Sequence, residues 1–293
     1  MAINDLRPGY RLEQVEGGTD LVVTDAWSTE TSLAIESGRV SGLALNYAHG
    51  FKDTNLEFLQ PWPIKRLTIL ARSVKDLTPV RRLSASLESL SVQSAASATI
   101  DLATFPLLQS VAANWGQVKH SVADAPQLKD LLVRSYNEFD LTPLRWNPSL
   151  RRLRFKDRPS VQSLAGVEHL GDLKHLAVYL APLGDIGPLR SLDSVLEELH
   201  LEGCRIYDLS PLACARTLRV INASECGDVE TLGPLRGLAN LEVLWLFGST
   251  RVVDGDLSPL TELPSLRELR MRSRPAYRPS VGEVQALISR DDQ

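Results

Sequence analysis

Apolar residues recur along this chain in a fixed frame. From Leu196 the sequence reads Leu-Glu-Glu-Leu-His-Leu-Glu-Gly-Cys, with leucines at offsets 0, 3 and 5. The last two are two residues apart. An extended strand therefore turns Leu199 and Leu201 to one side and Glu198, His200 and Glu202 to the other. The ninth position, Cys204, leaves the strand, where a side chain can bond backbone groups exposed by the turn. The frame restarts at Leu218 and closes on Cys226. In all it begins at Val40, Ile64, Leu87, Leu108, Leu128, Leu150, Leu173, Leu196, Leu218, Leu241 and Leu266. The interval between starts is nearly constant throughout. The intervening segments repeat as well. Asp76-Leu-Thr-Pro79, Asp140-Leu-Thr-Pro143, Asp208-Leu-Ser-Pro211 and Asp256-Leu-Ser-Pro259 are near copies, with Asp185-Ile-Gly-Pro188 and Thr231-Leu-Gly-Pro234 as variants. Ser210 fits a helix N-cap and Pro211 a first helical position, which predicts a short helical turn behind each strand. One such unit cannot bury its leucines alone, whereas stacked units share a continuous core.

The ends depart from the frame. In residues 1–39, segments 20–24 and 31–35 read as short strands, with Gly17-Gly18 as a turn before them. This predicts an N-terminal β-type cap; a small separate binding domain is the other reading. Residues 40–272 carry the repeats. In residues 273–293, Ser280 and Glu283 form a capping box, and Val284, Leu287 and Ile288 line one helical face. That predicts a short C-terminal helix closing the last coil.

With its leucine pattern, its near-constant repeat length and its Asp-Leu-Ser/Thr-Pro segments, the chain resembles leucine-rich repeat proteins of the SDS22-like class, whose repeats also occur in bacterial internalins. The resemblance spans about residues 40–272. It implies an α/β repeat solenoid, a curved horseshoe with a concave parallel β-sheet and short helical or 3-10 turns on the convex side. It also implies binding of other macromolecules on the concave face. The chain departs from the class at the ninth position, where Arg72, Ala95, Gly116, Tyr136, Arg158 and Ala181 replace the usual Asn. Less uniform coils are the consequence. No cell-wall sorting signal is present, which argues against a surface internalin role.

Composition narrows the picture. A net charge of −4 speaks against a general nucleic-acid or lipid-surface role. The basic residues are mostly Arg, in keeping with a GC-rich, bacterial genome. Cys204, Cys214 and Cys226 lack C-x-x-C spacing and read as reduced, buried thiols, with a metal or redox site as the alternative. The N-terminus has no apolar h-region, and no apolar run is long enough to cross a bilayer, so neither a signal peptide nor a membrane span is expected. The expected location is the cytoplasm.

Candidate binding residues follow from the frame. Offsets 2, 4 and 6 leave the core, and equal offsets on neighbouring strands, ~4.8 Å apart, form rows. Arg134, Arg152, Arg154 and Lys156 make a basic patch suited to an acidic partner. Trp245 and Phe247 lie side by side on the face, above Val243, as apolar anchors unless the C-terminal cap folds over them. Tyr179 and Trp115 are further aromatic candidates. His175, Glu198, His200 and Glu202 are the remaining polar contacts. As metal ligands they are poorly spaced, since alternate residues on a strand lie ~7 Å apart; pairing of His175 with Glu198 across strands is the better account. The chain contains no P-loop, G-x-G-x-x-G, H-E-x-x-H or G-x-S-x-G motif, so neither an enzyme nor a cofactor is expected. The reading is a non-catalytic protein–protein interaction module, an adaptor or an inhibitor or immunity-type protein, whose partner presents an acidic and an apolar patch. The alternatives are nucleic-acid or nucleotide binding through the Arg patch, and an enzyme or metal-binding protein. Nucleic acid is disfavoured because the patch carries no aromatic for base stacking.

Overall fold

In the computed structural model, which describes residues 5–288, each apolar frame becomes a strand two residues after it starts. The chain forms two units, Met1–Leu131 and Leu132–Gln293.

The first unit opens with β1 (Asp5–Arg7), β2 (Tyr10–Val15) and β3 (Gly18–Val23), which pair antiparallel. Helix α1 (Thr29–Glu36) then leads to the parallel run β4 (Gly42–Asn46), β5 (Arg66–Leu70), β6 (Ser89–Gln93) and β7 (Ser110–Asn114), and a single-turn helix α2 (Trp115–Val118) follows β7. Strand β3 pairs parallel with β4, and Leu43, Leu67, Leu90 and Val111 stack in register. The unit boundary falls within β8 (Asp130–Arg134).

The second unit carries β9 (Arg152–Lys156), β10 (His175–Val178), β11 (Glu198–His200), β12 (Val220–Asn222), β13 (Asp228–Val229), β14 (Val243–Leu246), β15 (Arg251–Val252), β16 (Glu268–Met271) and helix α3 (Val281–Ile288). Strands β9, β10, β11, β12, β14 and β16 form one parallel run, while β13 and β15 pair separately. Leu153, Leu176, Leu199, Ile221, Leu244 and Leu269 stack as a single buried row. Burying each such side chain stabilises the fold by ~1.5–3 kcal/mol, which explains why the frame tolerates so little change at these positions. In both units 3-10 turns lie between strands, as expected for a repeat solenoid.

The back segments are capped differently from the expectation. Asp208, not Ser210, supplies the cap: its Oδ1 accepts the Ser210 N–H at 2.7 Å, and its Oδ2 accepts the Ser210 hydroxyl at 2.8 Å. Ser210 already lies inside the 3-10 turn, so its side chain cannot cap it. The device repeats from Asp76 to Thr78, Asp140 to Thr142, Asp185 to Gly187 and Asp256 to Ser258, at 2.8–3.0 Å, and from Thr231 to Gly233 at 3.1 Å. These Asx-type turns hold the carboxyls of Asp76, Asp208 and Asp256 below their ordinary range.

The N-terminal end differs too. Segment 31–35 is not a strand but the body of α1. Ser28 Oγ accepts the Thr31 N–H at 3.3 Å, and Thr31 and Ile35, four residues apart, are the buried pair. The turn falls on Glu16 and Gly17, and Gly18 already opens β3; both glycines have positive φ. At the other end α3 has the expected capping box: Glu283 Oε2 accepts the Ser280 N–H at 2.8 Å and Ser280 Oγ accepts the Glu283 N–H at 3.3 Å. Its buried face, however, is Val281 and Val284, and Leu287 is 44 % exposed.

The cysteines divide. Cys204 and Cys226 are buried and donate to the carbonyls of Val178 and Leu201 at 3.6 and 3.0 Å. Burial pushes their thiols up to about 12 and about 11. Cys214 is exposed, because the chain has left the core after Leu212. Tyr136 occupies the same ninth position as these two cysteines; it is buried and donates its hydroxyl to Asp140 O at 2.6 Å. No helix among the described residues is long and apolar enough to cross a membrane.

Candidate functional site

Strand alternation sends one set of side chains into each unit's core and leaves another set on the sheet face. In the first unit that second set is small and neutral on three strands: Gly42, Ala44 and Asn46 on β4, Ser89, Ser91 and Gln93 on β6, Ser110, Ala112 and Asn114 on β7. On β2, β3 and β5 its charges pair with one another: Arg11 Nε lies 2.7 Å from Glu13 Oε1, and Arg66 is held by Asp20 through Nε and Nη2 at 3.1 and 2.6 Å.

The second unit presents a different face. Register aligns Arg152, His175, Glu198, Val220, Val243 and Glu268 in one row, and Arg154, Ala177, His200, Asn222, Trp245 and Arg270 in the next. Lys156, Tyr179, Glu202, Ser224, Phe247 and Arg272 follow at the strand ends. Arg152 and Lys156 are exposed, Arg154 is half-buried, and Arg134 Nη1 lies 3.5 Å from Asp157 Oδ2. The Lys156 ammonium sits 5.9 Å from the Tyr179 ring. Burial, and then the Glu202 carboxylate, raise the Tyr179 hydroxyl above its ordinary value.

Beyond the basic residues, Glu198 joins two imidazoles. Its Oε2 is 3.0 Å from His175 Nδ1 and 3.8 Å from His200 Nε2. Burial pulls the His200 pKa down, and Glu198 and Glu202 counter only part of that. Among the described residues no group of three or more His, Cys, Asp or Glu side chains is placed to hold a metal ion.

The aromatic end is organised around Trp245. Its Nε1–H donates to Glu268 Oε1 at 3.0 Å, the Arg270 guanidinium lies 5.0 Å from its ring centre, and the His200 ring meets it edge-on at 6.3 Å. Phe247 is 56 % exposed. Helix α3 packs on β16 and on the 3-10 turn Ser258–Glu262 rather than over this ring. Trp245, Phe247, Glu202, Glu225, Asn222, Ser224 and Arg270 line an open hollow of about 240 Å3.

One candidate, Trp115, falls away from the face, and two outward offsets of β8 are covered. Trp115 is fully buried as the first residue of α2. Asp130 and Leu132, at outward offsets of β8, are each only 8 % exposed. One residue was missed. Glu225 lies one position past the outward rows, in a left-handed turn with φ 56°. The same column holds Ser135, Asp157, Leu180, Gly203 and Gly248, all with positive φ. The sequence signal was the glycines: a Cβ on Gly248 would lie 1.8 Å from Glu225 Oε1, so Gly248 makes room for that carboxylate. Leu180, bulky and left-handed, is 57 % exposed, and a Cβ on Gly203 would lie 2.6 Å from its Cδ2.

No protein-family profile matches the chain, and no curated protein matches it in sequence. Solved structures do. The chain is similar to an internalin (inlF) from Listeria monocytogenes, with a TM-score of 0.61 at 17% identity, covering 89% of this chain and 84% of that one. It is similar to a leucine-rich repeat protein of Leptospira interrogans, with a TM-score of 0.62 at 17% identity, covering 86% and 71%. It is also similar to TLR13 in its complex with ssRNA13, with a TM-score of 0.50 at 17% identity, covering 80% and 42%. At such identities the likeness is one of fold, and the fold is that of leucine-rich repeat proteins.

Proposed function

From the leucine-rich repeat fold, we propose that the chain is a non-catalytic protein-binding module that grips its partner on the sheet face of its second unit. The observation that carries this reading is the concentration of charged and aromatic side chains there. Arg134, Arg152, Arg154 and Lys156 meet an acidic surface, Tyr179, Trp245 and Phe247 anchor it, and His175, Glu198, His200 and Glu202 contact it between. Charge complementarity sets on-rate and register, while the aromatics that the partner covers carry most of the affinity. A preformed sheet orders little on binding, which suits an adaptor or an inhibitor. The Asp-Leu-Ser/Thr-Pro turns support assignment to the SDS22-like subclass. Two thiols bonded to carbonyls in neighbouring coils fit a reducing compartment, the cytoplasm.

The test is affinity capture from native lysate with mass spectrometry. Wild type is run beside Arg152→Glu/Arg154→Glu and Trp245→Ala/Phe247→Ala, each first shown to be folded. A protein recovered by wild type and lost with both variants supports the reading. Equal recovery by all three removes the face from the binding site.

A further inference from the structure

Resting on that reading, we propose that the hollow beside Phe247 is the seat of an arginine side chain of the bound protein. Its size, about 240 Å3, is below the ~300–1,000 Å3 of small-molecule pockets and suits one side chain. Its walls are the rings of Trp245 and Phe247, over which the stem and plane of a guanidinium stack. Its polar edge is two carboxylates. Glu202 Oε2 accepts only a long bond from Asn222 Nδ2, at 3.3 Å, and Glu225 Oε2 accepts the Ser249 N–H at 3.0 Å. A carboxylate has about four acceptor sites, so both retain unused capacity. Among the described residues neither has a cationic side chain within ion-pair distance, whereas Glu268 has Arg270 at 2.6 Å and Glu198 has His175 at 3.0 Å.

Arg270 shows that this wall already accepts a guanidinium, since it lies over the Trp245 ring. Because Glu268 neutralises Arg270, its charge does not cancel Glu202 and Glu225. An acidic side chain would be repelled from the hollow. An apolar one would cover two carboxylates without pairing them, which costs free energy. Arginine fits better than lysine because its planar fork stacks on a ring and donates to a carboxylate at once. The partner is thereby specified further. It carries an arginine about four strand spacings, ~19 Å, from the acidic group that meets Lys156.

The test uses the chain labelled with 5-fluorotryptophan and followed by 19F NMR, with the Trp245 signal assigned through Trp245→Phe. The probe is N-acetyl-arginine methylamide, and N-acetyl-citrulline methylamide is its neutral isostere. The expected result is a saturating shift of the Trp245 signal with a Kd on the order of millimolar. It is absent with the citrulline probe, absent in Glu202→Gln/Glu225→Gln, and reduced in Phe247→Ala. No shift, an equal shift with citrulline, or a shift that survives the double glutamine variant overturns the seat. Failure of the two ideas is distinguishable. A protein captured through the face with a silent Trp245 signal sinks the seat alone. A responding signal with no protein lost from the aromatic variant sinks the protein-binding reading alone.

Discussion

The two units use one repeat to make unlike surfaces. Strands β6 and β7 of the first unit and β9 and β11 of the second share the same frame and the same buried leucine positions. Outside the core they part. The first unit offers Ser89, Ser91, Gln93, Ser110 and Ala112, side chains with little area to bury and no charge to pair. The second offers Arg152, Lys156, His200 and Phe247. What holds a coil together and what a coil presents are therefore written at separate positions, and selection can alter one without the other.

The sharpest test of this contrast is truncation. Trp245→Ala/Phe247→Ala is expected to weaken binding of the captured protein by ~3 kcal/mol, about 100-fold, the range of interface hot spots. Ser89→Ala/Ser110→Ala, measured by the same calorimetric titration, is expected to change it less than about twofold. A similar loss from both would erase the distinction between the faces. Next in size, Arg152→Glu/Arg154→Glu is expected to cost ~10–100-fold, mostly in on-rate and less at high salt; stopped-flow association at two ionic strengths reads both.

Stability offers a smaller contrast. Gly248→Ala puts a Cβ against the Glu225 carboxylate in a left-handed turn, and urea denaturation should show a loss of ~1–2 kcal/mol. Gly116→Ala, inside α2 with nothing within 4 Å of the new Cβ, should stabilise by ~0.5–1 kcal/mol.

The smallest effect is that of pH. Burial holds the His200 pKa below its ordinary value; Glu198 and Glu202 push it up and His175 pushes it down. The unfolded chain then binds the proton more readily as pH falls through about 6.5. Stability is therefore full above that value and declines below it. His200→Gln should flatten this part of the stability profile between pH 7 and pH 5. The first unit's sheet face, which carries no histidine, supplies no counterpart.

The strands were legible because two periodicities coincide in the sequence: alternation within each strand and a near-constant interval between them. The outward rows followed from the same arithmetic, and with them the meeting of His175 with Glu198. Three features escaped for physical reasons. Helix α1 is short, and a pair such as Thr31 and Ile35 fits one strand face as well as one helix turn. Trp115 stands next to the outward Asn114 in sequence, but a helical turn at that point rotates it into the core. Glu225 lies outside any alternating row, and only the left-handed backbone brings its carboxylate to the hollow. Propensity resists that conformation for Glu, so only the glycines at the same offset, Gly203 and Gly248, hint at it.

The aspartate-capped back turns have a consequence for length. Coils of this kind close their backs with their own Asp76- or Asp208-type bond, so such a coil is a removable link. Excising one whole coil, from Arg205 through Cys226, would join Cys204 directly to Gly227 and let the next strand take up the vacated register. The basic residues and Phe247 would then stand three strand spacings apart, ~14 Å instead of ~19 Å. The array works as a ruler graduated in strands: deleting this coil removes Asn222, Ser224 and Glu225 from the hollow but leaves the basic residues, Trp245 and Phe247 in place, so it shortens the span a partner must match between those two groups.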